Sequence, residues 1–264
     1  MVVAFLLENV PTVWLGLGLV VIAVGLSLLG LIVVRRHVRP STLKASHDVA
    51  GFLIAIVGVI YAVLLGFVVV VVWEQFGTTD RDTSDEAAAV GLLYRDAVAL
   101  GRDGRPLRAA ITPYANSVVN VEWKYMADHQ EESPTTGIYL NKVWQAVTHL
   151  RARNATEADF VTNTITDLSA ANEDRRTRII DSSSEIPTPL WAVLIAGGLM
   201  TIAFTYFFGV ESFTAQALMV SALATIIALS LLVILTLNLP FTGGLALKPD
   251  AMQSVIKAFH SDRF

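Results

Sequence analysis

Four acidic side chains, Asp80, Asp82, Asp85 and Glu86, follow closely on Glu74 at the end of a long apolar run. Carboxylates grouped at the mouth of an apolar segment could draw in cations as a vestibule. The plainer reading is solvation and charge placement at a helix start. Other chemistry-bearing residues form no constellation. His129 and His149 lack metal-ligand spacing, and Glu131 and Glu132 sit in an expected loop. Arg175, Arg176 and Arg178, with Glu173 and Asp174, read as a solvated helical face with local ion pairs. With Cys 0, the chain has no disulfide framework, thiolate metal site or cysteine nucleophile. The expectation is a protein that is not an enzyme and has no cofactor and no metal.

The apolar run before the acids has two distinct faces. Gly51, Ala55, Gly58, Ala62 and Gly66 recur every three or four residues, and small side chains on one face let helix backbones approach closely. Phe52, Ile56, Ile60, Val63 and Phe67 make the other face. Ordinary helix packing accounts for such a stripe. A sharper reading packs this helix around an oligomer axis and turns the bulky face to a pore or to lipid. An apolar constriction can gate ions by dewetting, so absence of charge does not exclude a channel. Tyr61 carries a hydroxyl at mid-helix and needs a hydrogen-bond partner.

These faces must be positioned by membrane helices. Only 16% of the residues are charged, against about 25% in soluble domains. Four stretches without a charged residue, Asn9 to Val34, Val49 to Trp73, Ile186 to Val210 and Ser212 to Leu247, each exceed the roughly 20 residues a helix needs to cross a bilayer. Within lipid every backbone polar group must be satisfied internally, so such runs are helices. Basic residues follow the first run and none precedes it, which argues against a cleaved signal peptide. Glu74, Glu211, Asp48 and His47 fall at helix ends, so no interior charge suggests a proton-coupled carrier. Paired aspartates or a zinc motif for proteolysis within the membrane are likewise missing. Thr201 and Thr205 in the third span, and Thr214, Ser221, Thr225 and Ser230 in the fourth, are expected to bond the preceding helical turn. The net charge of −4 argues against a nucleic-acid partner.

Between the second and third spans lies different material. Residues 78–185 hold 12 of the 19 Lys and Arg and 17 of the 23 Asp and Glu. Thr83 to Glu86 has capping-box spacing, ahead of Ala88, Leu92, Leu93 and Ala97 on one face. With no strong breaker but Gly77, the second span could also run on as one rod. Arg102 to Pro106 is a turn, and a helix is expected over 106–128 with Pro113 kinking or starting it. Ser133-Pro134 opens another, and the Asn154 to Glu157 capping box opens a last one. Trp123 and Trp144 are expected as core anchors. The layout is an all-α membrane protein: spans one and two with a basic linker at 35–48 (1–76), a helical polar domain (77–185), spans three and four (186–240), and an amphipathic tail (241–264). The tail's Met252, Val255, Ile256 and Phe259 share one side and are expected to pack on the body of the protein, the alternative being the membrane interface.

Arg35, Arg36, Arg39 and Lys44 follow the first span, whereas Glu8 precedes it, which places the linker in the cytoplasm and the polar domain outside. Arg81, Arg175, Arg176, Arg178, Lys248, Lys257 and Arg263 on the other side pull the opposite way.

Several strings then carry a family resemblance: Asp48 to Phe52, Val59 to Phe67, Val72-Trp73-Glu74, Glu86 to Tyr94, Tyr114, Glu122-Trp123, Arg175 with Arg178, Pro187 to Trp191, and Leu239 to Gly243. In order along most of the chain, they resemble the bacterial bestrophin-like membrane family. The resemblance implies a multi-pass protein of the bacterial cytoplasmic membrane. More distantly it implies the bestrophins themselves, pentameric anion channels whose second membrane helix lines an apolar neck and whose polar domain is cytoplasmic. Two functions follow as expectations. One is a homo-oligomeric ion channel whose partners are lipid and inorganic ions, with the second helix near the axis and the polar domain extending the conduit. The other is a non-conducting sensor or scaffold whose polar domain binds a partner.

Overall fold

The computed structural model describes residues 10–38, 47–183, 186–208, 210 and 212–261, and of residues 47–50 the backbone only. Every regular element among them is helical. In chain order these are α1 (Thr12–His37), α2 (His47–Ala99), α3 (Arg105–Ser117), a π-helical turn (Val118–Glu122), α4 (Trp123–His129), α5 (Pro134–Thr148), α6 (Ala155–Ser183), α7 (Thr188–Tyr206), α8 (Phe213–Leu237) and α9 (Asp250–Phe259). α1, the Gly51–Ala99 part of α2, α7 and α8 are long and apolar enough to cross a membrane. The Asp48 side chain, and Arg39 and Lys44 of the basic linker, lie outside the described residues.

The chain divides into two units. One is Met1–Glu74, Glu185–Asn238 and Gly243–Leu245; the other is Gln75–Ser184, Leu239–Thr242 and Ala246–Phe264. α2 contributes to both without a break.

In the first unit α1 packs most extensively on α8, and α7 touches both. Leu31, Tyr61, Ile202, Val220, Ala224 and Ile227 form its buried cluster. Close approach there depends on particular glycines. A Cβ on Gly30 would lie 2.7 Å from the Tyr206 hydroxyl, which donates to the Ser27 carbonyl at 2.8 Å. The hydroxyls of Thr201 and Thr225 bond carbonyls one turn back, Gly197 O and Ser221 O, both at 2.7 Å, as helical hydroxyls in an apolar setting do.

At one end of this unit Arg35 Nε donates to Gln216 Oε1 at 2.9 Å, and Arg35 Nη2 to the Val210 carbonyl. Gln216 Nε2 in turn donates to the Thr205 and Phe208 carbonyls at 3.2 and 3.1 Å. A cation and an amide thus add hydrogen bonds to carbonyls at and just beyond the C-terminal end of α7, where the helix dipole favours donors.

The second unit is built on the Gln75–Ala99 part of α2. Val90, Leu93 and Ala97 enter a core with Leu107, Ile111, Val118, Leu140, Val143, Leu168 and Met252. The Thr83–Glu86 spacing opens no helix, because the backbone runs through it as α2. Thr83 Oγ1 instead donates to the Asp80 carbonyl at 2.8 Å. At the other, the N-cap bond forms, Glu157 N donating to Asn154 Oδ1 at 2.8 Å, while Glu157 Oε2 accepts from Arg153 N at 2.8 Å, one residue before the cap. Gly101 takes φ 58° in the turn after α2, a conformation that favours glycine.

The helix expected over 106–128 runs without a break from Arg105 to His129, as α3, the π-helical turn and α4. Pro113 stays inside α3, and the helix widens at Val118–Glu122 instead. α9 seats Met252 in the core, and the Phe259 ring stacks on Tyr94 with centroids 4.0 Å apart. Trp123 and Trp144 are half-buried at the edge of the core, so they pack against it without being its centre.

Candidate functional site

The 53 residues of α2 carry all the side chains singled out for a pore or a vestibule. Along residues 51–74, those buried are Tyr61, Val68 and Val72, which fall within about 20° of one line at about 100° per residue. Tyr61 on that line joins the buried cluster of the first unit. Everything else on the span is unburied within the chain. Phe52 and Phe67 are each 68% exposed and Val63 is 52%, with Ile56 and Ile60 also exposed. A Cβ added to Gly58 or Gly66 would meet nothing within 4 Å, and one on Gly51 would meet only Phe208, at 3.8 Å. Ala55 and Ala62 are exposed as well.

Helical geometry separates these residues into flanks. Gly51, Ala55, Gly58 and Ala62 lie about 60–120° to one side of Tyr61, and Ile60, Phe67 and Val71 about 80–120° to the other. Gly66 and Ile56 lie about 140° away on their respective sides, and Phe52, Val59, Val63 and Val70 about 160–180° away. The span therefore has a small flank, a bulky flank and an aliphatic face opposite its own protomer.

The crowded glycines are elsewhere. Gly197 and Gly198 of α7 receive the Tyr61 ring, where a Cβ would fall 2.6 Å from Tyr61 Cδ2 and 2.9 Å from its hydroxyl. The Tyr61 hydroxyl finds its partner in the Leu194 carbonyl, donating to it at 3.0 Å. A cavity of about 370 Å³ among α1, α7 and α8 is lined mainly by aliphatic side chains, Leu19, Leu26, Ile195, Ile202 and Leu231 among them, with Ser27 and Tyr206 as its polar members.

The acids divide. Glu74, Asp80 and Asp85 are exposed, and Asp82 is half-buried with Oδ2 fully covered and unpartnered. α6 adds two carboxylates that sequence spacing did not join to the group, Asp174 and Asp181, the latter accepting from Thr79 Oγ1 at 2.8 Å. Burial first, then the charges of Asp181 and Asp85, raises the Asp82 pKa. Burial, then Asp85, Asp82, Glu86 and Glu173, raises that of Asp174. Among the described residues no group of three or more His, Cys, Asp or Glu is placed to hold a metal ion.

Glu86 leaves that patch altogether. It is buried, and Arg178 holds it, donating from Nε to Oε2 at 2.6 Å and from Nη2 to Oε1 at 3.1 Å. Arg178 Nη2 also donates to Glu122 Oε2 at 2.9 Å, and its guanidinium lies 5.1 Å from the Trp123 ring centre. Arg175 donates to Glu122 through Nη2 at 2.5 Å and Nε at 3.1 Å, and reaches the exposed Glu132 at 3.4 Å. The Tyr114 hydroxyl donates to Glu86 Oε1 at 3.1 Å. The π-helical turn delivers Glu122 to this cluster as its last residue. Arg175 and Arg178 are therefore not a solvated face; of the three arginines only Arg176 is exposed.

Burial opposes the charge on Glu122, but the two arginines win and lower its pKa. Burial, with Glu86 and Glu122 beside it, pushes the Tyr114 phenol well up. Burial works against the charge on Arg178 too, yet the two glutamates raise its pKa. Spacing could not reveal this network, since its members come from four parts of the chain. The strings behind the family resemblance do include Glu86, Tyr114, Glu122-Trp123, Arg175 and Arg178, and the fold brings those residues together.

Two crystal structures of point mutants of a bacterial bestrophin homolog from Klebsiella pneumoniae share this fold. One superposes with a TM-score of 0.72 at 12% identity, covering 92% of this chain and 99% of that one. The other gives 0.67 at 13% identity, covering 91% and 97%. No curated protein matches the chain. The bestrophin-like domain model matches residues 21–252, and the chain, a membrane protein with four apolar helices, belongs to the bestrophin-like family.

Proposed function

We propose that the chain assembles into a homo-oligomeric ion channel, with the span of α2 from each copy arranged around a central conduit. The observation that carries this is the exposure of α2: among the described residues its bulky flank is exposed, and its small flank meets only Phe208, 3.8 Å from a Cβ on Gly51. In a ring, the Gly58–Ala62–Gly66 flank of one copy receives the Ile60 and Phe67 flank of the next. Such a head-to-tail contact closes on itself by rotation. Small residues admit the bulky ones at close backbone distance, which is how helices gain packing energy in lipid.

The face opposite Tyr61, with Phe52, Val59, Val63 and Val70, then lines the conduit, flanked by Ile56 and Phe67. It is apolar, so it acts as a dewetting constriction and selects no ion by charge. A pentamer and an anion are what the family resemblance adds. The acids Glu74, Asp80, Asp82 and Asp85 would favour cations as a vestibule. In this reading the polar segment is a helical domain inserted between the second and third spans. The protein resides in the bacterial cytoplasmic membrane, and the basic linker faces the cytoplasm.

Ion flux from proteoliposomes containing the purified protein, under separate potassium and chloride gradients with the oligomer sized in parallel, tests this. Selective flux from a defined oligomer is expected. A monomer, or a folded oligomer without flux across a range of pH and calcium, would contradict it and favour a sensor or scaffold.

A further inference from the structure

We propose that Tyr61 is the positioning residue of the second span: its hydrogen bond to the Leu194 carbonyl, made by a ring seated on Gly197 and Gly198, sets the rotation of α2 about its own axis and so selects the side chains that face the conduit. This rests on the reading of α2 as the conduit helix.

The argument starts from what holds the span to its own protomer. Of the three buried side chains along residues 51–74, Val68 and Val72 are aliphatic and can make no directional hydrogen bond. Tyr61 alone of the three is polar. Its bond is directional, from a phenolic hydroxyl to one carbonyl at 3.0 Å. Leu194 is helical, so its carbonyl uses one lone pair for the helix and has a second for Tyr61. In hydrocarbon no water competes for either group, and breaking the bond leaves a hydroxyl unsatisfied.

The ring is held from the side as well. Gly197 and Gly198 leave a shallow seat that any side chain would fill, at 2.6 and 2.9 Å from ring and hydroxyl atoms. The ring therefore has one place to sit, and the helix that carries it has one azimuth. A single residue step along α2 turns the helix by about 100°, so a rotation of about 60° puts Ile60 of the bulky flank, and one of about 100° the opposite way Ala62 of the small flank, where Val63 stands. Little else opposes such a rotation: among the described residues the bulky flank and the far face are exposed, the small flank meets only Phe208 beyond Gly51, and Leu65, which packs on the buried cluster beside Tyr61, makes only apolar contact.

With no native cysteine, single cysteines report the azimuth directly. Val63→Cys and Ala62→Cys are placed separately in the full-length protein, reconstituted in liposomes, and reacted with a charged, impermeant methanethiosulfonate reagent. With Tyr61 intact, Val63→Cys should react faster than Ala62→Cys. In Tyr61→Phe the ratio of the two rates should fall severalfold, with oligomer size and thermal unfolding unchanged. Gly198→Ala, which displaces the ring but keeps the hydroxyl, should move the ratio the same way. A reactive Val63→Cys whose advantage over Ala62→Cys persists in both variants overturns the positioning role and leaves the conduit reading intact. An unreactive Val63→Cys with Tyr61 present, together with no ion flux, overturns the conduit reading and this proposal with it.

Discussion

Arg178 and Glu86 stand 92 residues apart in sequence and meet through two hydrogen bonds, at 2.6 and 3.1 Å, in a site that solvent does not reach. Arg178 also bonds Glu122, so one guanidinium bridges two buried carboxylates from α2 and the π-helical turn, and Arg175 supplies the second positive charge. Arg178→Met should destabilise the protein by about 3–5 kcal/mol, because it leaves buried charge uncompensated. Arg178→Lys keeps the charge but lacks the planar fork needed to hold both glutamates, and should fall between. Adding Glu86→Leu to Arg178→Met should recover much of the loss, since Glu122 retains Arg175. Unfolding in detergent measures all three, and a native-like Arg178→Met would refute the role.

The pH dependence of stability has opposite signs in two parts of the second unit. Glu122 has its pKa lowered in the folded state, so its contribution is present above its ordinary value of 4.5 and is lost as pH falls through the lowered value. Glu122→Gln should therefore be less stable at neutral pH and lose less on acidification below 4.5. Asp82 and Asp174 have values raised by burial first and by neighbouring carboxylates second, so protonation on acidification relieves the cost of a covered, repelled charge, and that cost returns as pH rises through those values. Asp82→Asn should raise the unfolding temperature at neutral pH and have little effect at low pH. Thermal scans across pH 3–8 distinguish the two behaviours.

Gly58→Leu and Gly66→Leu should leave the protomer folded, because nothing among the described residues lies within 4 Å of the added Cβ. Their effect should be confined to assembly: a smaller oligomer or lost flux, read by sizing and by flux assay. Unchanged oligomer size and activity in both would refute the packing role of this flank. Gly30→Ala should do the reverse and destabilise the protomer by about 1–3 kcal/mol, since its Cβ meets the Tyr206 ring and hydroxyl.

Cysteines placed on either side of the membrane test the orientation that the linker charges favour. Ser133 is buried, so Glu131, which is exposed, is the better position in the polar segment. Labelling of Glu131→Cys by an impermeant reagent in intact cells is expected, and protection of that position with labelling of Ser41→Cys would reverse the orientation.

The spans were legible because hydrocarbon imposes a rule on every residue of a helix, and a run without charge such as Val49 to Trp73 obeys it visibly. The long rod of α2 was legible as one of two readings. The Thr83–Glu86 spacing supported the other, and it yielded because the Ala87–Leu93 face continues an already formed helix. Asn154 and Glu157 form their cap, since no preceding helix competes there.

Tyr61's need for a partner could be read from its position, but not that the partner is Leu194. Which glycines are crowded was also hidden: Gly58 and Gly66 recur conspicuously yet are open, while Gly30, Gly197 and Gly198 receive aromatic rings. The buried arginines were misread because Arg175 and Arg178 have acids as sequence neighbours, whereas their partners Glu86 and Glu122 come from other helices.

The most direct test of a conduit lined by α2 is a planar-bilayer recording of the Val63→Cys protein before and after a charged methanethiosulfonate reagent. A current that the reagent blocks or steps to a new conductance, and that the cysteine-free protein retains under the same treatment, is the expected result. A current indifferent to the reagent, with Val63→Cys shown to be modified, would place the ion path elsewhere and contradict the central claim.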